Sequence, residues 1–199
     1  RRRVWIDQKY FVWIPNFYII FVAKPGIVSK STTADIGMSL LREVPGIHFG
    51  PNSLTWQALI QAMHQSVDTI EDPATGELFA SSAFSIVASE LGSLLDFSDR
   101  AMIDVFVDLW DGRKTWSKRT KLDGEELIEN PFINIIGCTT DAWIQENFSK
   151  YLLGGGFTSR TIFVYGKSKR HLVAYPADQF GAQHSSLRQK LIQDLETIS

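Results

Sequence analysis

The sequence has one cysteine, Cys138, in 199 residues. That excludes an internal disulfide framework and any CxxC zinc site, and it fits a reducing compartment. Nothing in the chain approaches the roughly 18–20 apolar residues a membrane helix needs; the apolar stretch from Phe17 to Ala23 is of strand length. Positive charge is not in excess either. With 20 Lys and Arg against 22 Asp and Glu the net charge is −2, so any nucleic-acid contact must come from a local patch. The four histidines, at positions 48, 64, 171 and 184, lack HxxxH or cysteine-paired spacing, so they assign no metal site. A GxSxG elbow is missing as well. The opening, Arg1-Arg2-Arg3-Val4-Trp5, has neither Met nor a secretory layout and reads as the interior of a longer protein.

What is present describes a globular fold. Hydrophobic residues make up 44% and aromatics 12%, ordinary values for a packed domain. The length suits one domain over 1–199. Short apolar runs alternate with helical periodicity, which predicts an α/β fold with a mostly parallel sheet flanked by helices. The core strands are Phe17–Val22, Phe84–Ala88, Phe132–Cys138 and Thr161–Tyr165, with a short one at Ile47–Phe49. Helices are expected from Lys30 to about Glu43, from a cap at Ser53, from a cap at Ser98, and after Thr140. A last one covers 183–199, with Leu187, Leu191 and Leu195 on one side. Residues Trp110 to Pro131 read as an inserted β-hairpin turning at Asp123-Gly124. Trp5, Trp13, Trp56, Trp110 and Trp143 are read as core or interface residues.

The strongest chemical signal surrounds Lys30. A phosphate loop needs backbone N–H groups and a helix N-terminus aimed at one anion. It also needs a lysine for the β/γ-phosphates and a hydroxyl for Mg²⁺. Lys30 and Ser31 stand on the first turn of a helix after an apolar strand, with Pro25 and Gly26 as turn residues and Ser29 and Thr32 beside them. The pattern GxxxxGK[ST] would put glycine where Lys24 and Ser29 stand. The competing reading is a helix start capped by Ser29, with Lys30 merely solvated.

Three further elements follow in order. Phe84–Ala88 runs into Ser89-Glu90, which predicts a general base, Glu90, on a strand beside the phosphate strand. Ser89 stands where a metal-supporting Asp is common, and its hydroxyl is left to hold a metal-bound water. A helix N-terminal glutamate favoured by the dipole is the alternative. The strand to Cys138 ends at Thr139-Thr140, with Thr140 either sensing a γ-phosphate or capping the next helix. After Gly154-Gly155-Gly156 comes Arg160, placed either as an arginine finger for a neighbouring subunit or in an ordinary ion pair.

Taken together, Pro25-Gly26 with Ser29-Lys30-Ser31-Thr32, Ala88-Ser89-Glu90-Leu91-Gly92, the stretch from Asn130-Pro131 to Thr139-Thr140, and Gly155-Gly156-Phe157 with Arg160 resemble a known family. It is the helicase-like P-loop ATPase domain of phage and plasmid primase-helicase proteins. The resemblance spans about Phe17 to Tyr175. It implies a RecA-like core, ATP and Mg²⁺ as cofactors, assembly into a homo-oligomeric ring, and DNA unwinding or translocation in the cytoplasm, that of the host if phage-encoded. The phage terminase packaging ATPase is a neighbouring possibility, and a non-catalytic nucleotide-binding assembly module a third. For DNA the candidate surface is the hairpin from Arg113 to Lys121, where Lys114, Lys118, Arg119 and Trp116 crowd together. Alternation splits those charges between two faces, which favours a solvated hairpin. Lys167 to His171 forms a second basic cluster.

Overall fold

The structure is a computed structural model, and it describes residues 4–51, 53, 55–72, 75–120, 124–148, 150–169, 171, 175 and 184–199. The chain opens with a two-stranded ribbon, β1 (Ile6–Asp7) and β2 (Val12–Trp13). Then come β3 (Tyr18–Val22), α1 (Lys30–Leu41), α2 (Trp56–Gln65), β4 (Val67–Glu71) and β5 (Leu78–Ala88). The middle holds α3 (Leu91–Leu94), α4 (Arg100–Trp110), the hairpin β6 (Thr115–Thr120) and β7 (Gly124–Glu129), and β8 (Phe132–Thr139). The last elements are α5 (Asp141–Asn147), α6 (Lys150–Gly154), β9 (Thr161–Tyr165) and α7 (His184–Ile198).

Five strands form one mixed sheet in the order β4-β5-β8-β3-β9. β3, β5, β8 and β9 are parallel, and β4 is an antiparallel edge on β5. The α/β class is therefore as expected from the alternation. One detail of the order is not. The Glu90 strand, β5, does not lie beside the phosphate strand β3, because β8 stands between them. Unbroken apolar runs say that a strand is buried, not which strand is its neighbour.

Local chemistry also moved several boundaries. The α2 cap is Thr55, whose Oγ1 accepts from Ala58 N at 3.3 Å, and not Ser53. The α4 cap is Asp99, accepting from Met102 N at 3.2 Å, while Ser98 donates its hydroxyl to Asp96 at 2.6 Å. Ile47–Phe49 contributes a single parallel bridge, Phe49 to Ser85, rather than a strand. Of the turn at 72–76, Pro73 and Ala74 lie outside the described residues, as do Asp123 at the hairpin tip and residue 183 before α7. On α7 the buried residue is Ile192, whereas Leu187 and Leu191 are exposed. Arg188 holds α7 to α1 by a forked ion pair with Glu43, and this guanidinium lowers the Glu43 carboxyl below its ordinary pKa. No described helix is long and apolar enough to cross a membrane.

The main core lies on one face of the sheet. Along β3, Tyr18, Ile20 and Val22 are buried and join Leu59, Ile60 and Met63 of α2, Met102, Ile103 and Phe106 of α4, and Phe157 in one cluster. Burying each such side chain stabilises by about 1.5–3 kcal/mol. Tyr18 donates its hydroxyl to Phe106 O at 2.7 Å, and burial pushes its phenol well above the ordinary value. Ala34 and Met38 of α1 are buried outside this cluster.

Asn16 ties the amino-terminal side of the sheet together. Only 3% exposed, it donates Nδ2 to Trp110 O at 2.8 Å, and its Oδ1 accepts from Ile133 N at 3.0 Å. Removing a buried amide strands both partners, so Asn16→Ala should lower unfolding stability by about 2–4 kcal/mol in denaturant titration; a loss under 0.5 kcal/mol would refute this role.

Candidate functional site

The four parallel strands point their carboxyl ends to one edge, where open α/β sheets bind ligands. Register makes that edge level: Val22 of β3 pairs with Thr139 of β8 on one side and Tyr165 of β9 on the other. Ala88 of β5 pairs with Gly137 of β8. The residues just beyond each strand therefore meet, and they enclose a cleft of about 440 Å³.

Its first wall is the loop between β3 and α1. Lys24 to Ile27 form a turn closed by Ile27 N donating to Lys24 O at 3.4 Å, with Pro25 second and Gly26 third at φ 72°. That is type II geometry, which wants proline and then a residue tolerant of positive φ. Glycine is needed at Gly26 alone: Lys24 keeps a negative φ, and Ser29 has φ −86° and ψ 60°. The two departures from the phosphate-loop pattern thus carry no backbone strain. Ser29 occupies the cap position of α1 without a side-chain cap bond. Thr33 makes the first helical bond, to Ser29 O at 3.0 Å, so the N–H groups of Lys30, Ser31 and Thr32 precede the ladder and have no helical acceptor. Lys30 reaches back across the loop and donates from Nζ to Ala23 O at 2.7 Å. An ammonium has three donors, which leaves two for a ligand.

The facing wall is Ser89, Glu90, Leu91 and Gly92 after β5, with Thr139, Thr140 and Trp143 after β8. Glu90 is exposed, and among the described residues its carboxylate receives no hydrogen bond or ion pair; only its backbone carbonyl is used, accepting from Ser93. Thr140 does cap α5, its Oγ1 accepting from Trp143 N at 3.1 Å. Capping uses one lone pair of that oxygen and leaves it facing the cleft. Cys138 forms the floor, 1% exposed, and burial raises its thiol pKa more than the charge of Lys30 lowers it.

Of the residues singled out from sequence, Pro25, Gly26, Lys30, Ser31, Ser89, Glu90 and Thr140 therefore converge on one cleft. Ser29 does not line it; with Val28, Thr33, Val164 and Gly166 it lines a small groove on the other side of Lys30. Thr32 is exposed and outside both. Arg160 is far from all of them. It precedes Thr161, which pairs with Tyr18 at the start of β3, so it stands at the opposite edge of the sheet. There it binds Asp111 through Nε at 2.9 Å and Nη2 at 2.7 Å, donates to Gly156 O, and covers the Trp110 ring. Ordinary ion pairing is what the geometry shows.

The basic hairpin is likewise committed to the body of the domain. Lys118 Nζ lies 3.3 Å from the centre of the Trp56 ring, Trp116 packs against the core, and register sets Lys118 opposite Glu126. Lys121 and Arg170 lie outside the described residues. No group of three or more His, Cys, Asp or Glu able to hold a metal occurs among the described residues.

Trp143 is the cleft residue that sequence reasoning read as a core or interface residue. Its ring also packs on Phe97, 5.2 Å between centres, so the core reading is half right. Gly92 follows from it: a β-carbon there would fall 2.7 Å from Trp143 Nε1. The available signal was spacing, since Trp143 stands three residues after the capping Thr140. Compared with known proteins, the sequence matches no family model and no curated protein.

A raised pKa and a buried sulfur both suppress thiolate chemistry. Cys138 should accordingly react with iodoacetamide at pH 7.5 at least about tenfold more slowly than after unfolding, as mass spectrometry would read; equal rates would contradict the buried floor.

Proposed function

We propose that this chain is a P-loop nucleoside triphosphatase of RecA-like type, binding ATP with Mg²⁺ in the Lys30 cleft and hydrolysing it. The observation that carries the reading is the meeting of Lys30, Ser31, Glu90 and Thr140, from three separate strand ends, around unpaired helix N–H groups. A polyphosphate fits that donor set: it is anionic, and it accepts from N–H, ammonium and hydroxyl groups alike.

In this reading the first-turn N–H groups and Lys30 hold the β- and γ-phosphates. Mg²⁺ supplies charge neutralisation there, with the hydroxyls of Ser31 and Ser89 as its protein-side contacts, the latter through water. Glu90, exposed beside the cleft, takes the proton of the attacking water. Thr140, whose oxygen accepts from Trp143 N, donates its hydroxyl proton to the terminal phosphate. Lys30 keeps its bond to Ala23 O and offers the two remaining ammonium protons to the phosphates.

Use of that turnover in a DNA motor, a helicase or translocase working as a ring, is the further step that the family resemblance supports. Its DNA contacts then lie elsewhere than Trp116 and Lys118, and its arginine finger is not Arg160 in the rotamer described. A second reading, a nucleotide-binding assembly module without turnover, is favoured by two particulars. Ser89 leaves Glu90 as the single carboxylate lining the cleft among the described residues, and Arg160 is already paired with Asp111.

Three variants separate these readings. Lys30→Ala should weaken ATP binding by about 100-fold in calorimetry, as loss of a charge-assisted contact implies. Glu90→Gln should bind ATP within about threefold of wild type yet hydrolyse it about 100-fold more slowly, the usual worth of a general base. Arg160→Ala should leave turnover per folded molecule unchanged. Binding without turnover in the wild type selects the assembly module; equal binding in wild type and Lys30→Ala refutes the site.

A further inference from the structure

The wall facing Lys30 carries a donor for which the reaction above has no role, the indole N–H of Trp143. Trp143 follows Thr140 by three residues, and the cap ties the two together, Thr140 Oγ1 accepting from Trp143 N at 3.1 Å. Both line the same cleft, with Glu90 and Gly92 beside them. The ring is held from behind. Phe97 lies 5.2 Å from it, centre to centre, and Phe148 6.4 Å, and Phe97 belongs to the main core.

The nitrogen edge of the ring lies against Gly92. A β-carbon there would fall 2.7 Å from Nε1 and 3.0 Å from Cε2, so the indole can take this place only because residue 92 has no side chain. Among the described residues the N–H meets no acceptor; the hydrogen bonds of Trp143 are those of its backbone, from its N to Thr140 and from Asn147 to its O. Nor is it sealed from solvent. Trp143 is half-buried, and the enclosed side-chain donor without a partner is that of Trp110, in another part of the fold. A donor fixed by packing, unpaired and open to a cleft is preorganised for an anionic acceptor, since no reorganisation is needed when the ligand arrives.

Resting on the triphosphatase reading, we propose that the Trp143 indole N–H donates to the terminal phosphate of the bound nucleotide and makes the cleft prefer a triphosphate to a diphosphate. The first-turn N–H groups of α1 and Lys30 stand on the opposite wall and hold the phosphates that a diphosphate also has. A third phosphate extends away from them toward Thr140, Glu90 and Gly92, and so toward the indole. Its oxygens are ionised acceptors, against which an N–H is worth roughly twice a neutral pair.

ADP and the non-hydrolysable adenylyl imidodiphosphate, each with Mg²⁺, are titrated into the full ¹⁵N-labelled chain. Of the six tryptophan indole resonances, that of Trp143 is assigned from its through-space contacts with the Phe97 and Phe148 rings. The imidodiphosphate should move it downfield, and ADP should leave it in place. In calorimetry Trp143→Phe, which keeps a ring against Phe97 and Phe148, should bind the imidodiphosphate about 10- to 100-fold more weakly, the loss of one bond to a charged acceptor, and ADP within about twofold of wild type. Gly92→Ala keeps the donor but displaces it, and should show the same selective loss. An unmoved Trp143 resonance in wild type bound to the imidodiphosphate overturns the proposal, as does a Trp143→Phe variant that weakens both nucleotides equally or neither. Wild type that binds neither nucleotide brings down the triphosphatase reading, and this inference with it. The wild-type spectra decide the matter even if neither variant folds.

Discussion

The structure depends on one constraint, the parallel register of β3 between β8 and β9. Val22 can stand level with Thr139 and with Tyr165 only because Tyr18 is paired with Ile135 on one side and Thr161 on the other. A slip of one residue would turn Tyr18, Ile20 and Val22 out of the core and Ile19 and Phe21 into it. Register is therefore enforced by the same burial that stabilises the sheet. Once it is set, the Lys30 loop, the Thr139-Thr140 corner and, through β5, Glu90 have no freedom to lie apart. The cleft is a by-product of core packing, and its residues need no mutual attraction to converge.

The same arrangement gives the sheet two unlike ends. At the carboxyl edge the strand ends present N–H groups, hydroxyls, ammonium groups and carboxylates to solvent, Lys30 and Glu90 among them. Across the sheet the polar groups are turned inward on each other, as Arg160 with Asp111 and Asn16 with two backbone partners. Polar side chains at the first edge are available for a ligand because each keeps a donor or acceptor unused among the described residues, Lys30 and Thr140 having spent only part of theirs. Those at the second are spent on the fold. In this structure Arg160 braces the fold through Asp111.

Much of this was legible in advance, and the rest was hidden for physical reasons. β3 and β8 announce themselves as continuous apolar runs, and Lys30 and Glu90 as polar residues where such runs stop. Legibility fails where the partner is remote. Nothing near β5 in the chain says that β8 will come between it and β3, and nothing near Arg160 points to Asp111, 49 residues earlier. It fails again where equivalent chemistry stands side by side. Ser53 and Thr55, or Ser98 and Asp99, are all competent caps, and the choice is made by how the helix must enter the core. On α7, leucine spacing suggested the buried side, but the buried residue is Ile192.

The distance along the chain between Asn16 and Ile133, 117 residues, has a consequence for how the molecule comes into being. β3 precedes both β8 and β9 in the chain, so its pairing waits until both have been made. Until then an apolar strand waits on a ribosome-bound chain with its edges unpaired, the condition in which nascent proteins aggregate. Closing so large a loop is also entropically slow. The α2–α4 portion, whose contacts span fewer residues, is the natural platform to assemble first, and the opening strand is threaded in afterwards. Biosynthesis of this domain is thus a problem of keeping β3 out of trouble while β8 and β9 are being made.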